Sequence, residues 1–392
     1  MENTIKPEIA TTPSALAELC QHLSEAGSFA FDTEFVGEDT YDPDVCLIQA
    51  ATDSFCGLID TLTGLDLSPF WELVANDEIE IIVHAGTEDL AQCWRQIDRP
   101  AANVFDLQIA AGFVGLGYPT SLIRLARLTA GVKIRKSQTL TDWRQRPLSP
   151  EQIMYAAEDV IHLPAMCRRL RERLVEMGRE AWAVEECAAA CQSSTQMAKG
   201  EQKLRRLRGA KSLRRKELAI ADALLVEREK LAREYNRPSR SVLRDHLLVE
   251  MARRGWTDVR RIQSLRGLNL KAAAVRRLAN AVNEARQLPE AQWPELPTEE
   301  DSREEEVLRL LINAVLRDYC DQNRLSHALL ANKQDLRALV HTYTRTEQPE
   351  VPISLKTGWR RAFAGDLLDG ILSGQCAVRV IQDGNGRRMC IE

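Results

Sequence analysis

The chain has 392 residues, 44% hydrophobic and 28% charged; this balance excludes a disordered protein, and the length exceeds what one ordinary core holds, so two or three domains are expected. No apolar run is long enough to span a bilayer, and the opening MENTIKPEIATTPSALAEL lacks the basic-then-apolar order of a secretory signal. Net charge is −5, yet Lys199 to Glu290 carries 24 Lys/Arg against 11 Asp/Glu, a local excess of +13 that leaves the remainder at −18, the split expected of a polyanion-binding segment joined to an acidic catalytic one.

In chain order, Ser14 to Ala26 has helical periodicity after Pro13, and SFAFDTEF alternates as a strand. VCLIQAATD and SFCGLID continue as two strands of an antiparallel meander. Pro69 to Ala75 reads as a short helix, IEIIVHA as a buried strand, and Glu88 to Gln96 as a helix. VFDLQIAAGFVG and SLIRLARLTAG read as two further helices, the first ambiguous. Ser149-Pro150-Glu151 has the cap and first-turn proline of a helix start, and Pro164 divides that helix from a long one reaching Gly178. Polar Cys191 to Gly200 reads as a linker. Lys203 to Arg286 reads as helical, with breaks at Asn236-Arg237-Pro238, Gly255 and Gly267. A Pro- and Glu-rich linker with a solvated acidic run, Glu299 to Glu306, precedes another helical region, and the chain closes on a hairpin turning at Asp383-Gly384-Asn385-Gly386. The expected division is residues 1–185, 203–290 and 303–392. Ten cysteines without zinc-type spacing suggest reduced thiols in the cytoplasm.

One spaced set carries chemistry. Asp32 and Glu34 project to the same face of their strand, because strand side chains alternate. Asp89 opens a helix beyond a strand end, and Tyr155 and Asp159 share a helix face. Parallel carboxylates on an apolar strand are costly unless a cation joins them, and oxygen ligands without His or Cys suit Mg²⁺ or Mn²⁺. Two such ions would clamp a phosphodiester, one activating a water and the other stabilising the departing 3′ oxygen. Tyr155, with an ordinary pKa of about 10, suits orientation of the attacking water better than proton removal. Each element alone is commonplace; their combination in this order is not.

FDTEF, HAGTEDL and YAAEDV resemble the three exonuclease motifs of the DEDD superfamily, tyrosine branch, and KSQTLTDWRQRPLSPEQIMYAAEDVIHLP is similar to the ribonuclease D family. The resemblance implies an α/β ribonuclease H-like exonuclease domain with a mixed sheet, followed by all-α helical domains. It also implies metal-dependent 3′→5′ hydrolysis of RNA to nucleoside 5′-monophosphates and trimming of tRNA precursors. The basic region, through Asn236-Arg237-Pro238, Ser241-Val242-Leu243 and Asp245, resembles an HRDC domain. Leu329-Leu330-Ala331 and Gly358-Trp359-Arg360 resemble the family's C-terminal part, where a second such domain sits.

Gln49, Lys136, Trp143 and Arg144 are candidate substrate contacts, although Trp143 equally suits a buried loop support. His84 and His162 read as structural histidines. The stretch KLRRLRGAKSLRRKE is the densest candidate for phosphate contact. A monomer is expected. Two alternatives use the same residues: a DNA 3′→5′ exonuclease, and a non-catalytic RNA-binding protein with a vestigial nuclease fold.

Overall fold

The computed structural model describes residues 6–37, 39–134, 141–199, 203–294, 301–345, 353–383 and 386–392. Its first part is β1 (Glu8–Ala10), α1 (Pro13–Ala26), β2 (Ser28–Val36), β3 (Asp44–Ala51), β4 (Cys56–Asp60), α2 (Ser68–Val74), β5 (Glu80–Val83), α3 (Thr87–Ile97), β6 (Val104–Asp106), α4 (Leu107–Phe113), α5 (Leu122–Thr129), α6 (Pro150–Glu158), α7 (Leu163–Glu176) and α8 (Glu180–Lys199). The six strands form one mixed sheet in the order β1-β4-β3-β2-β5-β6. The β2–β3–β4 meander is antiparallel, whereas β1–β4, β2–β5 and β5–β6 run parallel. Alternation along β2 sends Phe29 and Phe31 into an aromatic cluster with Phe70 and Trp71, and turns Ala30, Asp32 and Glu34 to the other face.

The basic region follows as α9 (Lys203–Arg206), α10 (Arg215–Glu234), α11 (Ser239–Val242), α12 (Asp245–Arg254), α13 (Val259–Gln263) and α14 (Ala272–Arg286), with its own buried cluster. Its breaks fall as expected: Asn236, Gly255 and Gly267 all take positive φ. The last part is α15 (Arg303–Gln322), α16 (His327–Leu330), α17 (Lys333–Thr344), α18 (Gly358–Leu372) and the antiparallel pair β7 (Val378–Asp383) and β8 (Gly386–Ile391). The two middle residues of that turn lie outside the described residues.

The helices α15 to α18 share one continuous buried cluster with the sheet's helices, running from Ala30 and Phe113 through Met166 to Ile312, Trp359 and Leu368. The Trp359 ring lies 4.7 Å from Phe113 edge-on and 6.0 Å from Trp182. Arg360 forms a double hydrogen bond with Glu186 at 2.7 and 2.8 Å, and reaches the carbonyls of Leu330 and Leu329. Arg179, buried, donates to the carbonyls of Phe113, Asn323 and Arg324.

Three expectations need correction. Cys191 to Lys199 is not a linker but the end of the 20-residue α8. The Ser194 and Thr195 hydroxyls return to the carbonyls of Ala190 and Cys191, so polar side chains support the helix they seemed to interrupt. VFDLQIAAGFVG is not one helix: Asp106 ends β6 and caps α4, accepting from Gln108 N at 2.7 Å. The acidic run is not wholly solvated: Ser302 and Glu305 form a capping box at the start of α15, and buried Glu305 pairs with Arg345 at 2.6 Å.

Candidate active site

Asp32 and Glu34 leave β2 on one face, in register with Gln49 and Leu47 of β3. The pairing shifts by one residue between Glu34 and Phe35, so a bulge interrupts the ladder just past the second carboxylate before pairing resumes at Phe35 and Val45. Across the cleft, α6 begins at Ser149, whose hydroxyl accepts from Gln152 N at 3.2 Å while the Gln152 side chain accepts from Ser149 N at 2.8 Å. Pro150 fits this first turn because its missing N–H has no partner to lose. The reciprocal cap fixes the start of the helix, Tyr155 projects from it, and Asp159 ends it.

A carboxylate oxygen from each of Asp32, Glu34 and Asp159 lies within 4.8 Å of the others. Asp89 stands beside this trio, 8% exposed in the first turn of α3. It accepts from Thr33 N at 3.1 Å and from the Thr33 hydroxyl at 2.5 Å, and its charge presses on Asp32. The turn before α3 is held by Asp106, which accepts from Ala85 N at 3.0 Å and Gly86 N at 3.3 Å. A Cβ at Gly86 would sit 2.7 Å from Val83, so that close approach requires glycine.

The electrostatics follow from crowding. Burial, then the charges of Asp89, Asp159 and Glu34, push Asp32 well above the ordinary carboxylate range. Burial, with Asp159 and Asp89, raises Glu34 to about 8. Burial raises Asp159 to about 6 against the opposing hydrogen bond from Tyr155, and raises Asp89 to about 6 against the Thr33 donors. Burial and the three nearest carboxylates also raise Tyr155, so its hydroxyl keeps its proton. Among the described residues no Lys or Arg pairs with any of the four carboxylates. The donor set is all oxygen, uncompensated and convergent, and it fits hard divalent cations.

The remaining candidates separate. Trp143 is 5% exposed and packs among Cys46, Leu47, Leu58 and Ala156, its ring 6.0 Å from that of Tyr155. It supports the tyrosine from behind and presents no face to a base. Arg144 makes an exposed pair with Asp44 at 2.8 Å. Gln49 is fully buried opposite Asp32, with neither amide atom hydrogen-bonded. Lys136 lies outside the described residues. His84 is held neutral by burial, its Nδ1 without a partner, and His162 stands at the start of α7. Sequence reasoning missed Thr33, Asp106 and Arg146. Arg146 clasps Asp60 at 2.7 and 2.8 Å, and donates to the carbonyls of Cys46 and Trp143, fixing the loop that carries Trp143. The N-cap pattern of Asp106 was available in the sequence, hidden by reading its segment as one helix.

Comparison with known proteins adds independent findings. Residues 7–175 match the 3′-5′ exonuclease family and residues 217–280 match the HRDC domain. Ribonuclease D of Acidiphilium cryptum is 30% identical over 98% of this chain and 96% of its own. Ribonuclease D of Granulibacter bethesdensis is 33% identical over 95% and 94%. The crystal structure of Escherichia coli RNase D superposes with a TM-score of 0.81 at 28% identity, covering 94% of this chain and 99% of that one.

Proposed function

This chain belongs to the ribonuclease D family and is a metal-dependent 3′→5′ exoribonuclease; from that premise we propose that it trims tRNA precursors, releasing nucleoside 5′-monophosphates at Asp32, Glu34, Asp89, Tyr155 and Asp159. The observation that carries the site assignment is the convergence of three carboxylates within 4.8 Å beside the Tyr155 hydroxyl. A pair of divalent cations held by the four carboxylates would neutralise the phosphate and activate the attacking water.

The chain's own residues do the rest. Asp32 sits centrally, pressed by all three other carboxylates, and would be a principal ligand for the cations. Glu34 and Asp159 flank it on the side of Tyr155. Asp89 is oriented by two Thr33 donors to one of its oxygens, which leaves the other for a cation. Tyr155 retains its proton, so it aims the water by hydrogen bonding, and Trp143 keeps its ring from swinging. Gln49, in register with Asp32 and fully buried, would back that carboxylate from β3.

Residues 1–185 would cut, and residues 203–290 would hold the RNA through their excess of +13. The E. coli relative is described as an exoribonuclease involved in structured RNA processing, which supports a folded RNA with a single-stranded 3′ tail as substrate. All ten cysteines are free thiols, which supports a reducing cytoplasmic setting. The test is purified protein on a tRNA bearing extra 3′ nucleotides, with Mg²⁺ and then with EDTA, beside a matched DNA tail. Stepwise loss of the RNA tail that stops on chelation supports the reading; degradation of the DNA tail alone, or persistence in EDTA, refutes it.

A further inference from the structure

Tyr41 lies in the loop between β2 and β3, seven residues beyond Glu34, and it leaves its own lobe. Its hydroxyl donates to Glu229 at 3.1 Å, its backbone N–H donates to Asn236 Oδ1 at 3.2 Å, and the Arg233 guanidinium lies 5.3 Å from its ring centroid. All three partners belong to α10 or the turn that ends it. The ring packs against the buried cluster of the basic region.

The same loop is tied to the catalytic side. Arg95 of α3 reaches Asp42 at 3.7 Å and Glu88 at 3.6 Å, so the helix that carries Asp89 also grips the residue after Tyr41. Gly37, just past Glu34's strand, is close-packed on Pro43, where an added Cβ would meet the ring at 3.1 Å. Seven extended residues reach at most about 25 Å, so the turn after α10 is bound within that distance of Glu34. That turn is cationic. Arg237 and Arg244 are exposed and make no ion pair among the described residues; Arg240, 72% exposed, rests on Asp245 at 3.2 Å.

We infer that Tyr41 is a positioning residue that pins the Arg237–Arg244 segment, α11 and its flanks, to the nuclease lobe through the loop that follows Glu34, so that a folded RNA held on that segment delivers its 3′ tail in a fixed register. The inference rests on the exoribonuclease reading above. Tyr41 touches neither the carboxylates nor Tyr155, and a short unstructured tail does not need the second lobe. Its effect is therefore confined to structured substrates.

The experiment compares Tyr41→Ala with the wild type on a short unstructured oligoribonucleotide and on a 3′-extended tRNA, both with Mg²⁺. Lost hydrogen bonding and cation–π contact predict a KM for the tRNA raised on the order of ten-fold, with kcat and all oligonucleotide parameters unchanged. Tyr41→Phe keeps the ring and recovers most of the loss. Asn236→Gly, made on the other lobe, removes the acceptor of the Tyr41 N–H without changing charge and reproduces it in part if Tyr41→Ala fails to fold. Dye labels on α2 and α14 report the distance between lobes, which broadens in Tyr41→Ala and Asn236→Gly. Equal changes on both RNAs, or unchanged KM with an unbroadened distance, overturn the inference. A wild type inactive on both RNAs would sink the functional reading, while the label distances, which need no activity, still decide whether Tyr41 holds the lobes.

Discussion

Thr33 holds Asp89 twice, through its backbone N–H at 3.1 Å and its hydroxyl at 2.5 Å, across 56 residues of sequence. Both donors favour the ionised carboxylate and partly offset its burial. Thr33→Val keeps the backbone bond and the shape but removes the hydroxyl. A hydrogen bond to a charged group contributes about 1.5–3 kcal/mol, so divalent-cation affinity falls roughly ten-fold or more, and the acid limb of the pH–rate profile moves to higher pH. Calorimetric Mg²⁺ titration checks this; an unchanged affinity shows that Asp89 does not act through this contact.

In the cation-free site burial and the neighbouring carboxylates favour the protonated Tyr155 hydroxyl, so a geometric contribution is expected of it. Tyr155→Phe should lower kcat by about 10²-fold, the cost of losing a well-placed donor, with little change in KM for RNA or in melting temperature. The alkaline side of the pH–rate profile should keep the same shape in wild type and variant. A lost alkaline limb in Tyr155→Phe would mean that the tyrosine ionises during turnover.

Without cations, Glu34 titrates at about 8 and Asp89 and Asp159 at about 6, above the ordinary range because the crowded site favours the neutral acids. Between the ordinary carboxylate range and those values the folded chain binds protons that the unfolded chain has released. Stability of the cation-free protein therefore falls as pH rises from about 4 to about 8. Cations bind the ionised set and reverse the trend. Mg²⁺ at about 100 times its Kd adds about 2.7 kcal/mol and raises the melting temperature by several degrees, more at about pH 8 than at about pH 5.5. Asp32→Asn should raise the cation-free melting temperature at alkaline pH and abolish the Mg²⁺ response. A wild-type melting temperature that ignores both pH and Mg²⁺ contradicts the site.

Two neighbouring arginines make opposite predictions. Arg146 pairs with Asp60, which is 6% exposed, and its removal leaves a buried carboxylate without its partner. Arg146→Ala should cost about 3–5 kcal/mol in urea unfolding. The Arg144–Asp44 pair is exposed, and Arg144→Ala should cost no more than about 1 kcal/mol. Any larger loss of RNA affinity than of stability in Arg144→Ala would assign that side chain to the substrate.

Much of the site was legible because its residues obey short-range rules. Strand alternation placed Asp32 and Glu34 together, and the Ser149 cap with Pro150 in the first turn placed Tyr155 and Asp159 on one helix. The mixed sheet followed from the meander and the buried strands. What stayed hidden depends on contacts distant in sequence. Nothing local marks Thr33 as the partner of Asp89, and the sequence left Trp143 open between substrate contact and buried loop support, which only the packing decides. The polar stretch after Cys191 looked like a linker because its buried positions only acquire meaning against the sheet. Leu329-Leu330 and Trp359-Arg360 were noticed as separate patches; that Arg360 caps the carbonyls of the first is visible only in three dimensions.

The cluster joining Phe113 and Met166 to Trp359 and Leu368 sets the order of synthesis against the order of assembly. The strands and helices bearing the carboxylates leave the ribosome first, yet their apolar flank meets its partners only after residue 368 has emerged. A nascent chain cut short before that point leaves this flank in water, prone to association and short of its full rigidity. The apolar frame behind the nuclease lobe is thus closed by the last helix made, and a truncated product carries the carboxylates without that frame.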